Sequence, residues 1–239
     1  MIQLPWVMNQ RWEHLLYLHY RVDAAEIADL VHPDLTVDEF DGSAWVTLIP
    51  LQLEAVHLRD LPPIPGTTHF PELNLRTYVT NRGRPGVWFL SIDAMSWFSV
   101  RVAKRVFRLP YADADMHFGV EGGAFRATSR RHGPVSATFD ATFAPTSAPL
   151  GDRTALDEFL GERYCMYTHG WRGRLDRGDI SHVPWVLRSA DVEVRSNEVL
   201  DAAGVHPLSE PVTAYSDGTH AIAWPLVAAS REPRAWPRR

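Results

Sequence analysis

Short turn sequences divide much of this chain into strands. Asp41-Gly42 separates "LTVDEF" from "SAWVTLIPLQLEAVHL", and an Asp-Gly pair between apolar runs is a strong β-hairpin signal. The turn "NRGRPG" separates "NLRTYVT" from "VWFLSIDA" in the same way, and Gly-Gly and Gly-Pro turns separate three further short strands. We therefore predict an α+β protein that is mainly β, with a barrel or sandwich at its centre and a few peripheral helices.

Capping residues predict the helices. Asp23 with Glu26 three residues on is a capping-box signal for a helix in "DAAEIADLVHP", and Thr154 caps a helix predicted over "TALDEFLGERYCMY". Gly204 closes a brief helix in "NEVLDAAG". A further helix is predicted over "SWFSVRVAKRVFRL", and the strand "VPWVLRSADVEVRS" precedes the brief helix.

Composition limits the classes of function. The 239 residues carry a net charge of −5, so no global electrostatic attraction to nucleic acid is expected. No apolar run approaches the roughly 18 residues of a membrane span, and the N-terminus lacks a signal-peptide pattern. Cys165, the one cysteine, fits a cytoplasmic protein and is interpreted as a buried structural thiol. We expect one domain over residues 1–230 and a frayed Arg/Pro-rich tail over 231–239.

No dinucleotide-binding, phosphate-binding or zinc-protease motif occurs, and the 11 histidines are scattered. We therefore expect no cofactor and no metal. The expected partner is a small-molecule ligand, and the sequence leaves a homo-oligomer open.

The segment "FPELNLRTYV" carries the most informative polar pattern. On a strand, Asn74, Arg76 and Tyr78 share one face, and Glu72 joins them if the strand extends that far. Such a row can lie in solvent. Inside a small barrel, the arginine fork would instead hold a carboxylate or enolate, and the phenol would orient or protonate it. In that arrangement we expect Arg76 to be more than half buried.

Two further interpretations concern Asp93, which lies near this row in sequence. Strand periodicity places Val87, Phe89, Ser91 and Asp93 on one face, so Asp93 is a candidate acid or base. Equally, Asp93 is a candidate cap for the helix that starts near Ser96.

A family resemblance adds to these predictions. The segment "QRWEHLLYLHYRVDAAEIADLVHPDLTVDEFDGSAWVTLIPLQL" resembles the opening of acetoacetate decarboxylase-like proteins. The segments "FPELNLRTYV", "PGVWFLSIDA" and "LPYADADM" more closely resemble a bacterial family of unknown function in that superfamily. The resemblance implies a cone-like, closed antiparallel β-barrel with helices outside and a ligand cavity within. Arg11, otherwise a surface arginine by sequence, falls where the family arginine lies.

The decarboxylase branch also uses a lysine Schiff base, activated by a neighbouring lysine. Lys104 is the only lysine here, and Lys104-Arg105 matches that pair with a gap and an arginine in second place. On a helix, Lys104 shares a basic stripe with Arg101, Arg105 and Arg108. A lysine exposed in this way has a pKa of about 10.4 and is a poor nucleophile, so we do not transfer the Schiff-base mechanism.

Two hypotheses for function follow. In the first, the protein is a lyase-, hydratase- or isomerase-type enzyme acting on a small oxygenated or oxo acid. Glu72, Asp93 and Tyr78 would transfer protons, and the ligand would be held by Arg11, Arg76 and Asn74. In the second, the same cavity binds a ligand without catalysis. A Schiff-base decarboxylase or aldolase using Lys104 and a filled barrel without a pocket are further alternatives. A catalytic base would need a raised carboxylate pKa without a tight arginine partner.

Overall fold

The structure is a computed structural model that describes residues 5–60, 69–95 and 107–230. Two predicted features lie outside the described residues: most of the helix containing Lys104 and the tail 231–239.

Fourteen strands and three short α-helices occur in the described residues. The strands are β1 (Met8–Val22), β2 (Thr36–Val37), β3 (Glu39–Phe40), β4 (Ser43–Leu58), β5 (His69–Asn81), β6 (Arg84–Ala94), β7 (Tyr111–Glu121), β8 (Ala124–Arg131), β9 (Ala137–Pro145), β10 (Cys165–His169), β11 (Leu175–Ser181), β12 (Ala190–Asn197), β13 (Val212–Ala223) and β14 (Val227–Ala228). The helices are α1 (Ala24–Ala28), α2 (Ala155–Gly161) and α3 (Val199–Ala202), and a 3₁₀ turn spans Trp171–Gly173.

Strand pairings close a ring. In the described part of the chain, β1, β4, β5, β6, β10, β11 and β13 pair in that order, and β13 pairs again with β1. The β6–β10 pairing is parallel and the others in the ring are antiparallel. Strands β7, β8, β9 and β12 continue from β6 as an extension of the same sheet. The prediction of a mainly β protein with few helices is confirmed.

The extension packs on the outside of the ring. Leu18, Leu48 and Leu75 lie on the outer face of β1, β4 and β5, in one apolar core with Phe139 and Phe143 of β9. The inner face therefore belongs to the side chains that alternate with these leucines.

The hairpin turns form as predicted. Asp41 and Gly42 both have positive φ, at 52° and 72°, and Arg82 and Gly83 follow with 51° and 74°. Positive φ at both central residues matches the right-handed twist of the two flanking strands. These turns produce the β3–β4 and β5–β6 pairings.

Two of the predicted helices each differ from the structure in one feature. Asp23 caps α1 by accepting from the Ala25 amide, but Glu26 bonds the backbone and ring of His206 instead of completing a capping box. Thr154 forms the capping box of α2 with Asp157, yet α2 ends at Gly161. The predicted helix was too long because its last residues belong to strand β10, which pairs with β6 and β11.

The last predicted strand was also too long at its start. "VPWVLRSADVEVRS" becomes regular only at Ala190, where β12 begins to pair with β9. The preceding loop places Trp185 in the interior of the protein.

A β-bulge in β6 changes which side chains face inward. Arg76 pairs with Phe89 but Leu75 pairs with Ser91, so Leu90 is an extra residue. Phe89 therefore shares the Arg76 face, while Ser91 and Asp93 share the outer face with Leu75. The prediction that Val87, Phe89, Ser91 and Asp93 lie on one face was wrong, because alternation does not continue through a bulge.

The α-helices of the described part are all too short to cross a membrane.

Candidate active site

The predicted polar row lies inside the ring. Glu72, Asn74, Arg76 and Tyr78 alternate along β5, opposite the outward leucines. Inner-face residues from separate parts of the ring meet in shared apolar clusters; Met8, Val87 and Ile180, from β1, β6 and β11, belong to one of them. We call these four residues of β5 the polar belt, which lies beside apolar clusters of the ring interior.

Glu72 is a buried carboxyl group with two neutral donors. It is 7% exposed, and it accepts from the Tyr111 hydroxyl at 3.0 Å and from Asn74 Nδ2 at 3.2 Å. Burial raises the pKa of Glu72 to about 7, although both hydrogen bonds oppose this. Within the described residues no cation is paired with it. Glu72 can therefore take up and release a proton near neutral pH.

Tyr111 is a site residue that the sequence pattern did not indicate. It begins β7, which runs parallel to β6 and pairs Tyr111 with Ile92. Ile92 in turn pairs with Asn74. Burial raises the pKa of Tyr111 well above its usual value, and the Glu72 charge adds to this effect. Tyr111 consequently keeps its proton and donates to Glu72.

Arg76 is a cation without a counter-ion in the described part of the chain. It is more than half buried, as predicted, and its Nε is buried without a hydrogen-bond partner. Its Cζ lies 5.8 Å from the Tyr78 ring centroid. No carboxylate of the described residues forms an ion pair with it. The paired N–H donors of this guanidinium are therefore available to bind an anion.

A hydrogen-bond chain lies beside Arg76. His19 Nδ1 is 2.7 Å from Thr47 Oγ1, which is 2.6 Å from the Tyr78 hydroxyl. Burial, with the Arg76 charge as a smaller cause, lowers the pKa of His19 to about 3, so the imidazole is neutral. Tyr78 lies in the row as predicted, but its hydroxyl is engaged by Thr47.

Unpartnered polar atoms concentrate on the inner face. Six buried side-chain polar atoms of the described residues lack a hydrogen-bond partner. Five belong to inner-face residues of β1, β5 and β13: Tyr17 Oη, Asn74 Oδ1, Arg76 Nε, Ser216 Oγ and Thr219 Oγ1. Buried polar atoms are costly when unpaired. Their clustering on one surface indicates a place for polar groups that the described residues do not supply.

Aromatic side chains cover part of this surface. Trp185 meets Tyr17 edge-on with ring centroids 5.7 Å apart, and it stacks on Trp12 at the same distance. Phe159 of α2 lies 5.6 Å from the Tyr78 ring. The polar belt is thereby shielded from water.

Asp93 lies apart from the belt. On the outer face it is fully buried, and its carboxylate accepts from Arg131 Nε at 2.6 Å and from Ser129 Oγ at 2.9 Å. Burial raises the pKa of Asp93, with the Arg131 charge acting against it. This ion pair joins β6 to β8 of the extension and does not face the ring interior.

Arg11 also lies apart from the belt. Its side chain is 54% exposed and pairs with Glu13 at 2.5 Å and with Glu54 at 3.1 Å. The sequence could not indicate this because Glu54 comes from the neighbouring strand β4. Lys104 lies outside the described residues.

Cys165 is fully buried, as predicted, and burial raises its pKa. Among the described side chains, no three His, Cys, Asp or Glu residues are grouped to hold a metal ion.

The ring and its extension form the fold of acetoacetate decarboxylase-like proteins. An acetoacetate decarboxylase from Legionella pneumophila superposes with a TM-score of 0.65 and 13% identity, over 95% of this chain and 90% of that one. The enduracididine biosynthesis enzyme MppR, in a complex with pyruvate, superposes with a TM-score of 0.66 and 17% identity, over 96% and 92%. At these identities the similarity establishes the fold alone.

The chain belongs to the DUF2071 family of uncharacterised conserved proteins, whose profile matches residues 9–220. The uncharacterised protein YqjF of Bacillus subtilis (strain 168) is 41% identical over 223 residues, covering 92% of each chain. The resemblance to a family of unknown function is confirmed, and the fold is the acetoacetate decarboxylase-like fold that the resemblance implied.

Proposed function

We propose that the inner face of the ring binds a small oxygenated or oxo acid, and that Glu72 transfers a proton to or from it. The reaction is of the lyase, hydratase or isomerase type and uses no Schiff base. Arg76 binds the acid group of the ligand, and Tyr111 positions Glu72 by donating a hydrogen bond to it.

The observation that carries this proposal is the unpaired state of Arg76. An arginine that is largely buried loses hydration, and its charge is normally compensated by a carboxylate. Here the described residues provide neither a compensating anion nor a hydrogen-bond acceptor for Nε. A bound carboxylate would supply both the charge and the two acceptors that the guanidinium fork matches.

The state of Glu72 supports acid/base chemistry over binding alone. A pKa of about 7 leaves both protonation states well populated at neutral pH. Tyr111 and Asn74, which donate to it, are neutral, so no arginine of the described residues holds it permanently ionised. The non-catalytic hypothesis would fit better if Glu72 were tied to Arg76.

Fold similarity guides the choice of probes. MppR is named in complex with pyruvate, which is a small oxo acid. We therefore take pyruvate and the longer 4-oxopentanoate as first ligands for this chain.

The test is titration calorimetry of both acids with the wild type and with Arg76→Met. Loss of a charge-assisted hydrogen bond of about 1.5–3 kcal/mol corresponds to roughly 10- to 150-fold weaker binding. Arg130→Met is the matched control, because Arg130 is an exposed arginine on β8 that pairs with Asp115. Failure of every acid to bind in an Arg76-dependent way would overturn the proposal.

Proton transfer is tested separately by NMR in deuterated water. Bound oxo acids should exchange the protons on the carbon next to the ketone with solvent in the wild type and at least tenfold more slowly in Glu72→Gln. Tight Arg76-dependent binding without Glu72-dependent exchange would favour the non-catalytic alternative.

A further inference from the structure

Asn74 occupies the middle of the polar belt, between Glu72 and Arg76 on the inner face. It is 7% exposed, and its Nδ2 donates to Glu72 Oε1 at 3.2 Å. Its Oδ1 is buried and has no hydrogen-bond partner among the described residues. One end of this amide is thus committed to the protein, while the other end presents an acceptor to the ring interior.

The orientation of the amide depends on the proton of Glu72. An ionised carboxylate only accepts hydrogen bonds, so Asn74 must turn its NH₂ group toward Glu72. Tyr111 already donates to Oε2, which directs an added proton to Oε1, on the Asn74 side. Protonated at Oε1, Glu72 becomes a donor, and the amide satisfies it by rotating half a turn, which presents Nδ2 to the interior.

We propose that Asn74 is the specificity-determining residue of the site: it selects a hydroxy acid when Glu72 is ionised and an oxo acid when Glu72 is protonated. An inward Oδ1 needs a hydrogen-bond donor, which a hydroxyl group supplies and a ketone does not. An inward Nδ2 needs an acceptor, which the ketone oxygen supplies. The inference rests on the proposed function, because Arg76 must hold the acid group of both ligands.

Of Glu72 and the described groups around it, Glu72 is the one whose protonation changes near neutral pH. Its ladder neighbours are Leu51 on β4 and Ala94 on β6, neither of which titrates. In the described residues, Tyr111 from β7 is the titratable group in contact, and burial keeps it protonated through neutral pH. Arg76 lies two inward positions away on the same strand, at a Cα separation of roughly 13 Å.

Proton binding and ligand choice are then linked. If each ligand binds one protonation state, hydroxy-acid affinity falls by up to about tenfold per pH unit below pH 7. Oxo-acid affinity falls by the same factor per unit above pH 7. The ratio of the two affinities should therefore change by at least tenfold between pH 6 and pH 8.

Titration calorimetry at pH 6, 7 and 8 measures the affinities of the protein for matched pairs of a hydroxy acid and an oxo acid. The pairs are lactate with pyruvate and 4-hydroxypentanoate with 4-oxopentanoate, which place the oxygen substituent at two distances from the carboxylate. In Asn74→Leu the affinity ratio should stay constant within about threefold across this range. Asn197→Leu is the matched control, because Asn197 also has a buried Oδ1 that no described residue bonds, but it lies on β12, outside the ring. It should keep the wild-type ratio.

The possible outcomes distinguish failure of the role of Asn74 from failure of the proposed function. Parallel pH profiles for both members of every pair in the wild type would overturn the role of Asn74, even if Asn74→Leu does not fold. A ratio that still changes with pH in folded Asn74→Leu would do the same. In both cases Arg76-dependent binding would leave the proposed function standing. If no acid binds in an Arg76-dependent way, the inference and the proposed function both fail.

Discussion

Replacing Glu72 with glutamine should stabilise the protein at alkaline pH and change it little at acid pH. The folded-state pKa of Glu72 is about 7, compared with an ordinary value of 4.5. Between these values the folded protein keeps a proton that the unfolded chain has released. The contribution of Glu72 to the free energy of unfolding therefore falls as pH rises from 4.5 to 7 and levels off above 7.

The size of the effect follows from the shift. One pKa unit is worth about 1.4 kcal/mol, so the ionisation of Glu72 costs the folded state about 3 kcal/mol at pH 8 or above. Glutamine has nearly the same shape and can still accept from the Tyr111 hydroxyl. It cannot ionise, so it avoids this cost.

Urea unfolding, followed by tryptophan fluorescence at pH 4.5, 6, 7 and 8.5, measures the effect. The wild type and Glu72→Gln should have similar unfolding free energies at pH 4.5, and the variant should be about 3 kcal/mol more stable at pH 8.5. Glu39→Gln, at an exposed carboxylate on β3, provides the control and should follow the wild type throughout.

Parallel profiles for the wild type and Glu72→Gln over this range would refute the reasoning. They would mean that Glu72 ionises as easily in the folded protein as in the unfolded chain. The argument that it is an acid or base near neutral pH would then lose its physical basis.

Four other outcomes are expected. Arg131→Met should cost about 3–5 kcal/mol in urea unfolding because Asp93 stays buried without its cation, and the double variant with Asp93→Leu should recover most of that loss. Gly218→Ala should cost about 3 kcal/mol or more in the same assay, since φ is 140° and a Cβ would lie 2.2 Å from a backbone oxygen. Cys165 should react with a thiol reagent only at the rate of unfolding, and fast labelling of the native protein would contradict its burial. Incubation with pyruvate and borohydride should give no mass adduct at Lys104; an adduct that Lys104→Ala abolishes would restore the Schiff-base mechanism.

Local chemistry explains the parts of the fold that could be predicted from sequence. Asp41-Gly42 accepts the positive φ of a tight hairpin, and Thr154 caps its helix through its own side chain. The spacing of Glu72, Asn74 and Arg76 places them on one face of a strand, whichever face is inside. These features depend on residues a few positions apart, so the sequence contains them directly.

The rest of the candidate site depends on pairings that are distant in sequence. Tyr111 reaches Glu72 because β7 runs parallel to β6, and no local pattern indicates that neighbour. Arg11 is drawn outward by Glu54 on another strand. Asp93 changes face because of one extra residue upstream, and its partner Arg131 belongs to the extension. Each of these outcomes follows from tertiary packing rather than from periodicity.

The bulge at Leu90 has a consequence for comparing relatives of this chain. Two successive side chains, Leu90 and Ser91, face outward there, so a relative lacking one residue at this point would have a regular strand with the same faces. Ile92 would still face the interior and Asp93 would still meet Arg131. A gap placed a few residues later would instead exchange the interior and exterior residues of the strand end. The position of an insertion or deletion in β6 therefore decides which side chains face the interior, and an alignment gap belongs at Leu90.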